Sequence, residues 1–475
     1  MSYKERFLEI FKEISEIPRC SGNEKMIADW ILKRAHDNGF ETKTDKAGNI
    51  CVKVDSGSDN TVVIQNHMDM VCEKNSGVNH DFVKDPIKMT IKDDWLSADG
   101  TTLGADNGAG MALAFLLSEE DSPKPNLELL FTADEERGLV GASNLEEEML
   151  TGDTLINLDT ETEGEFIIGC AGGRDTLIRK RCDFSSLDNT EMCRLEVKGL
   201  EGGHSGLDIH KGRLNAIKIL GEMLEAVNET YPVYLSNING GTAHNAIPRS
   251  AFAAFAVKGE IKRRSMEDLL AEFDAGLFEL KIIKNNGSGF LTREDSGQIV
   301  SMINEIPHGV YSCDSKMPDK VETSSNPATI KTEKNSVECL VSQRSSNPAN
   351  MNELTVLIEE CAVKAGAEYE TGNEYPGWLP DPDSEIVSIF KNAYSEIFGK
   401  APKVDVVHAG LECGVIGEKF ENMEMISLGP TIIDAHSPAE RLNLSSVEKV
   451  AKLLKRVFEK IAREIYLKIF LDTPL

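Results

Sequence analysis

The chain is short of positive charge. Lys and Arg number 51 against 79 Asp and Glu, a formal net charge of −28. A field of that sign repels phosphate backbones and anionic headgroups, so nucleic acid and membrane surfaces are excluded as natural partners. Long hydrophobic runs are also missing: no stretch approaches the ~18 apolar residues that a spanning helix needs. The first residues, MSYKERFLEIFKEISEI, carry charges where a signal peptide would be uniformly apolar. The ten cysteines never form a C-x-x-C pair, which argues against a disulfide framework and a cysteine-ligated zinc knuckle. Reduced thiols in a cytoplasmic protein are the expectation. A serine nucleophile elbow is absent, because GGHSGL has no glycine two residues after Ser205. A phosphate-binding loop is absent too: LGADNGAG places the Asp106 carboxylate where a phosphate would sit.

What remains is an ordinary globular composition, 40% hydrophobic and 27% charged. With 475 residues the chain exceeds what one core accommodates, so two domains are expected. The start reads as two helices broken at Pro18. The second opens at Ser21, with Glu24 completing a capping box, and ends near Gly39. Strand-like runs follow at 50–54, 61–66, 127–132 and 154–158, with helical patterns at 107–118 and 139–149 between them. This alternation predicts an α/β sheet. From about 185 the texture changes to an α+β pattern, with a helix over 212–229 and a second strand-helix round over 308–364. Helical patterns at 383–398 and 445–466 then close the chain. The economical division is a catalytic domain over 1–184 and 378–475, interrupted by an inserted domain over 185–377.

Three of the buried-looking strands end in polar clusters, HMD, ADEERG and DTETEG. In open α/β sheets functional loops gather at the carboxyl ends of strands. His67 and Asp69 alternate to the same face, which lets the carboxylate hold the imidazole in one tautomer and leave its other nitrogen for a metal. Asp106, Glu135, Glu136, Asp159 and His436 complete the set. Two divalent ions about 3.5–4 Å apart need a bridging carboxylate, terminal ligands and an open position for water. Asp106 as bridge gives His67 and Asp159 to one ion and Glu136 and His436 to the other. Three carboxylates and a hydroxide then balance two divalent cations. Neighbouring carboxylates diverge from the backbone, which frees Glu135 to face the water as general base.

The segments QNHMDMV, LGADNGAGMALA, FTADEERGLVGA, LINLDTETEGE, GCAGG, KGLEGGHSG, GGTAHNAIPR, HAGLECG and DAHSPAERL, in this order, resemble the bacterial aminoacyl-histidine (Xaa-His) dipeptidases. These are co-catalytic zinc peptidases related to carnosinase and aminoacylase. The resemblance spans about residues 15–445. It implies a zinc-peptidase-like catalytic domain with a mixed sheet, and a lid domain that closes over a small peptide and forms a homodimer. It implies the same metal ligands, base Glu135 and orienting Asp69, with a cis peptide after Asp106. In the lid it implies that His204 donates to a substrate carbonyl or carboxylate and that Asn245 and Arg344 hold the substrate's carboxyl end, and it implies that Gly410 lets backbone groups approach the substrate closely. Xaa-His dipeptides such as β-Ala-His are the expected substrates. A broader dipeptidase, a tripeptidase or an N-acyl amino-acid deacylase is the alternative. His and carboxylate ligands accept zinc, manganese or cobalt.

Overall fold

The structure is a computed structural model that describes residues 1–187, 192–257, 263–284 and 289–471. The chain divides into two compact units. The first comprises Met1–Gly169, Pro380–Val406 and Leu411–Leu475, and the second Cys170–Leu379 with Val407–Gly410.

The first unit is built on an eight-stranded sheet. Its order is Glu41–Thr44, Ile50–Val54, Asn126–Thr132, Thr61–His67, Thr154–Asn157, Glu424–Ser427, Glu165–Cys170 and Lys403–Val407. The four strands at 126–132, 61–67, 154–157 and 424–427 run parallel, flanked by antiparallel neighbours. The sheet is therefore mixed. Thr61–His67 and Asn126–Thr132 are buried along almost their whole length, as strands covered on both faces must be. Helix Ala105–Ser118 is apolar nearly all round and buried accordingly, with Phe115 stacked on Phe131 of the sheet. Each such fully buried side chain contributes about 1.5–3 kcal/mol. Tyr3–Ser15, Glu385–Phe398 and Leu444–Leu471 complete the packed helices.

The second unit carries a nine-stranded antiparallel sheet. Strand Gly172–Arg181 lies between Ser336–Ser345 and Glu368–Tyr375, and Ala216–Thr230, Arg293–Glu305 and Pro348–Lys364 supply helices. Their apolar faces meet in one core with Leu220, Leu224, Ile299, Ile303, Leu354 and Ile358 against Phe255, Ile330 and Val341.

Four expectations need correction. The first boundary falls at 169/170 instead of 184/185, because strand 172–181 is hydrogen-bonded into the second sheet. The chain also crosses back at 379/380 and revisits the second unit at 407–410. The expected helix over 139–149 is two short pieces, Val140–Ser143 and a 3₁₀ turn Glu147–Met149. Asn144 ends the first by donating its side-chain amide to the Val140 carbonyl. The helix expected from Ser21 begins at Lys25 without a side-chain cap. Glu24 turns back to the Gly22 amide instead, and Ser21 hydrogen-bonds Asp69. Finally, the thiols are not all reduced. Met70 pairs with the Cys20 segment, and this brings Cys72 into a disulfide with Cys20, while the other eight cysteines form no disulfide.

Candidate active site

Parallel strands in register deliver their following residues to one edge. His67 closes its strand opposite Thr132. Glu135 and Glu136 follow Thr132 by a few residues, and Asp159 follows Asn157, which registers with Gln65. Asp106 lies in the first turn of Ala105–Ser118 with non-helical dihedrals, and its peptide bond to Asn107 is cis, as the resemblance implies. His436 stands in the loop between Ile432–Ile433 and Arg441–Asn443, in a left-handed backbone (φ 60°) that His tolerates better than most residues.

All seven side chains converge. Asp106 spends one oxygen on each imidazole: Oδ1 lies 2.9 Å from His67 Nε2, and Oδ2 lies 3.0 Å from His436 Nε2. Asp159 Oδ1 is 3.5 Å from His67 Nε2, and Glu136 Oε1 is 3.1 Å from His436 Nε2. Ligand-type atoms of His67, Asp106 and Asp159 all lie within 4.8 Å of one another, as do those of Asp106, Glu136 and His436. Glu135 falls within the same limit of His67 and Glu136. Asp69 Oδ1 is 3.4 Å from His67 Nδ1, and the same carboxylate accepts the backbone amides of Glu135 (3.0 Å) and Glu136 (3.3 Å). Asp69 thus fixes the ring and the adjacent glutamate loop together.

The donors suit cations. Burial alone would lower His67, but Asp159, Asp106 and Asp69 outweigh it and hold the imidazole well above its ordinary range. Hydrogen bonds to Asp106 and Glu136 push His436 up to about 11. Burial opposes ionisation of Asp106, yet the two imidazoles hold its carboxyl far below the usual range. Glu135 is driven well above the usual range by burial, with Asp159, Glu412 and Glu136 adding to it. Buried Glu136 Oε1 and His67 Nδ1 have charged contacts alone, with His436 Nε2 at 3.1 Å and Asp69 Oδ1 at 3.4 Å. This set of imidazoles and carboxylates fits divalent ions of borderline hardness.

In the second unit, the two-residue ladder Gly203–His204 with Ala246–Ile247 sets His204 beside Asn245, whose carbonyl accepts the Ser205 amide. His204 Nδ1 accepts the amides of Gly206 and Leu207 at 3.1 and 3.0 Å. The neutral ring must then carry its proton on Nε2. Burial and nearby Arg344 lower its pKa, which keeps it neutral. Arg344 is buried, reaches Ser205 Oγ and donates to the Tyr375 hydroxyl at 2.9 Å; among the described residues no acid pairs with it. Gly410 packs on Tyr375 so closely that a Cβ would sit 2.8 Å from the ring. His204, Asn245 and Arg344, with Gly410 from the segment expected in the catalytic domain, thus share one neighbourhood of the second unit.

Sequence reasoning missed several groups. Tyr375 and His408 join the Arg344 cluster, with His408 Nε2 2.7 Å from Ser324 Oγ. Glu412 lies buried under the parallel strands, held by Gln65 and by Thr132 Oγ1 at 2.7 Å. Burial raises it to about 7. Glu161 is pushed up to about 8 by burial and by Asp106 and Asp159. Asn107 donates to Asp159. Arg19 and Glu440 bracket the Asp106 loop. Glu161 and Glu440 lie inside the motifs LINLDTETEGE and DAHSPAERL without any spacing rule to single them out, and Arg19 lies outside every motif.

A mixed α/β sheet with paired imidazoles and carboxylates at the ends of its parallel strands defines a hydrolase-type catalytic unit. The model for Peptidase family M20/M25/M40 matches residues 63–460, and the chain belongs to that family. It is 37% identical over 471 residues to the cytosol non-specific dipeptidase of Escherichia coli (strain K12), covering 95% of this chain and 97% of that protein. The crystal structure of aminoacylhistidine dipeptidase from Vibrio alginolyticus matches with a TM-score of 0.89 and 35% identity over 96% of each chain. A tripeptidase from Staphylococcus aureus, 17% identical with a TM-score of 0.57, covers 97% of this chain and 99% of its own and shares the fold.

Proposed function

We propose that this protein hydrolyses dipeptides at a centre of two divalent ions, zinc by preference, with Xaa-His dipeptides such as β-Ala-His among its substrates. One observation carries the reading: Asp106 faces two separate imidazole–carboxylate groups, one through each oxygen. His67 and Asp159 would hold one ion, His436 and Glu136 the other, with Asp106 shared. Ions so held would supply Lewis acidity toward the scissile carbonyl and would lower the pKa of a water. Glu135 takes the proton from the attacking water and returns it to the leaving amine nitrogen as the C–N bond breaks. Asp69 keeps the His67 ring and the Glu135 backbone in register. The Nε2 proton of His204 is available to a substrate oxygen, and Arg344 offers a bidentate fork to the substrate carboxylate beside Asn245 and Gly410. A buried Arg with no acid partner among the described residues supports that role.

The name of the 37% identical relative, a non-specific dipeptidase, favours a second reading in which side-chain selectivity is broad. We assign the protein to the cytoplasm, supported by eight cysteines outside any disulfide and by the cytosolic relative. Homodimerisation through the second unit is supported by apolar side chains left exposed there, Val356, Val363 and Tyr369. No helix among the described residues is long and apolar enough to cross a membrane. Metal analysis together with hydrolysis of β-Ala-His, Gly-His, Leu-Gly, Leu-Gly-Gly and N-acetyl-Met tests the assignment. Two ions per chain and cleavage of the dipeptides are expected. Full turnover after exhaustive chelation would refute the mechanism, and preferential cleavage of N-acetyl-Met would refute the substrate class. Light scattering reports the dimer.

A further inference from the structure

Two buried residues of opposite charge grip the loop that carries Asp106, and neither touches the reacting groups. Glu440, 2% exposed, turns its carboxylate onto four consecutive amides. Oε2 accepts from Leu103 (2.7 Å) and Gly104 (2.9 Å), and Oε1 from Ala105 (2.7 Å) and Asp106 (3.3 Å). The helix that begins there has Gly104 at its N-cap and no local side-chain cap, so a carboxylate from more than 300 residues away satisfies its orphan donors. Arg19, also 2% exposed, takes carbonyls: Met68 at 3.0 Å, Asp69 at 2.8 Å, and Gly104. Its guanidinium is wedged against two glycines. A Cβ would lie 2.6 Å from Arg19 Nη2 at Gly104 and 2.7 Å from it at Gly108, and Gly104 also has φ 69°.

Glu440 stands four residues after His436 in the same short segment, so it ties the His436 loop to the Asp106 loop. Arg19 ties the segment of His67 and Asp69 to that same loop. We infer that Glu440 and Arg19 are positioning residues that set the distance from Asp106 to each imidazole and so hold the two cation sites in register. A buried charge remote from the ions acts here through backbone amides and carbonyls, as outer-shell partners do. The opposite charges of the two clamps also compensate each other in the interior.

The inference rests on the proposed two-ion centre, and titration of metal-free protein with Co²⁺, followed by its visible d–d spectrum, tests the two separately. Wild-type protein is expected to take two equivalents. Glu440→Gln keeps the shape but sets an amide NH₂ against two backbone donors. It should weaken at least one equivalent about 10–100-fold and shift the d–d bands. It should also speed hydrogen exchange at residues 103–106 in the metal-free protein. Arg19→Lys, which keeps the charge and loses the fork, should do likewise. Glu128→Gln is the control. Glu128 is equally buried and accepts the amides of Thr151 and Gly152, but it lies toward the opposite end of its strand. It should lower the melting temperature and leave Co²⁺ affinity and spectrum unchanged. Should Glu440→Gln fail to fold, Glu440→Asp, shorter by one methylene, is expected to weaken binding about tenfold. Wild-type Co²⁺ affinity and spectrum in the folded Glu440 variant overturn the inference. Fewer than two equivalents in the wild type overturn the two-ion reading itself.

Discussion

Glu135→Gln isolates proton transfer from metal binding. The substitution is isosteric and leaves intact the backbone amide that Asp69 accepts at 3.0 Å, so the loop stays anchored. Glu136 keeps its approach of 3.1 Å to His436 Nε2. What disappears is the acceptor for the water proton. A positioned base contributes about 10²–10⁴-fold, or about 2.7–5.4 kcal/mol of transition-state stabilisation. Turnover of β-Ala-His should fall by that factor while metal content, measured by plasma emission on the same sample, stays at two ions. Glu136→Gln should do the reverse, losing one ion at limiting metal and regaining part of its activity with excess. The pH dependence of stability in metal-free protein gives a second measurement. Burial raises the Glu135 pKa above its unfolded value. The folded state therefore binds the extra proton, and stability falls as pH rises from the unfolded pKa toward the folded one. Glu135→Gln should flatten that decline. If Glu135→Gln loses an ion while Glu136→Gln keeps both, the two roles are exchanged. Full activity in both variants would make the pair a solvated charge cluster and end the mechanism.

Arg344→Met should raise KM for dipeptides about 10–100-fold, the loss of a charge-assisted pair of about 1.5–3 kcal/mol. It should have little effect on the corresponding dipeptide amides, and an equal effect on both would remove Arg344 from carboxylate binding. Burial, then Arg344, His204 and His210, hold His408 down to about 3 from 6.5. The folded state thus excludes a proton that the unfolded chain binds, and stability is lost as pH falls below about 6.5. Because the ring keeps some solvent contact, about 1 kcal/mol should go between pH 6.5 and 5. His408→Gln should lose correspondingly less over that range in urea melts, and an unchanged pH slope would refute this. Thiol titration of the denatured chain should count eight groups without reductant and ten with it; ten in both would discard the Cys20–Cys72 bond.

Local pattern was enough to read the parallel strands and the polar groups at their ends. A doubly covered strand is mostly apolar, so a His, Asp or Glu cluster after it marks where the chain leaves the sheet. His67, Glu135, Glu136 and Asp159 stand at such points. Metal chemistry then limited how imidazoles and carboxylates could be shared, which grouped them around Asp106 before any distance was known. Pattern failed where a residue's partner is remote. Ser21 and Glu24 carry a capping box, yet Asp69 captures Ser21 and the helix starts later. Strand Gly172–Arg181 reads the same in either sheet, and only its pairing with Ser336–Ser345 assigns it to the second unit. Arg19, Glu412 and Glu440 cannot be told from surface charges by their neighbours in the sequence. Their partners are amides, carbonyls and side chains tens to hundreds of residues away. Periodicity reports which face of an element is buried. Which backbone groups a buried charge will satisfy depends on how distant segments close around it, and that is decided only in the folded chain.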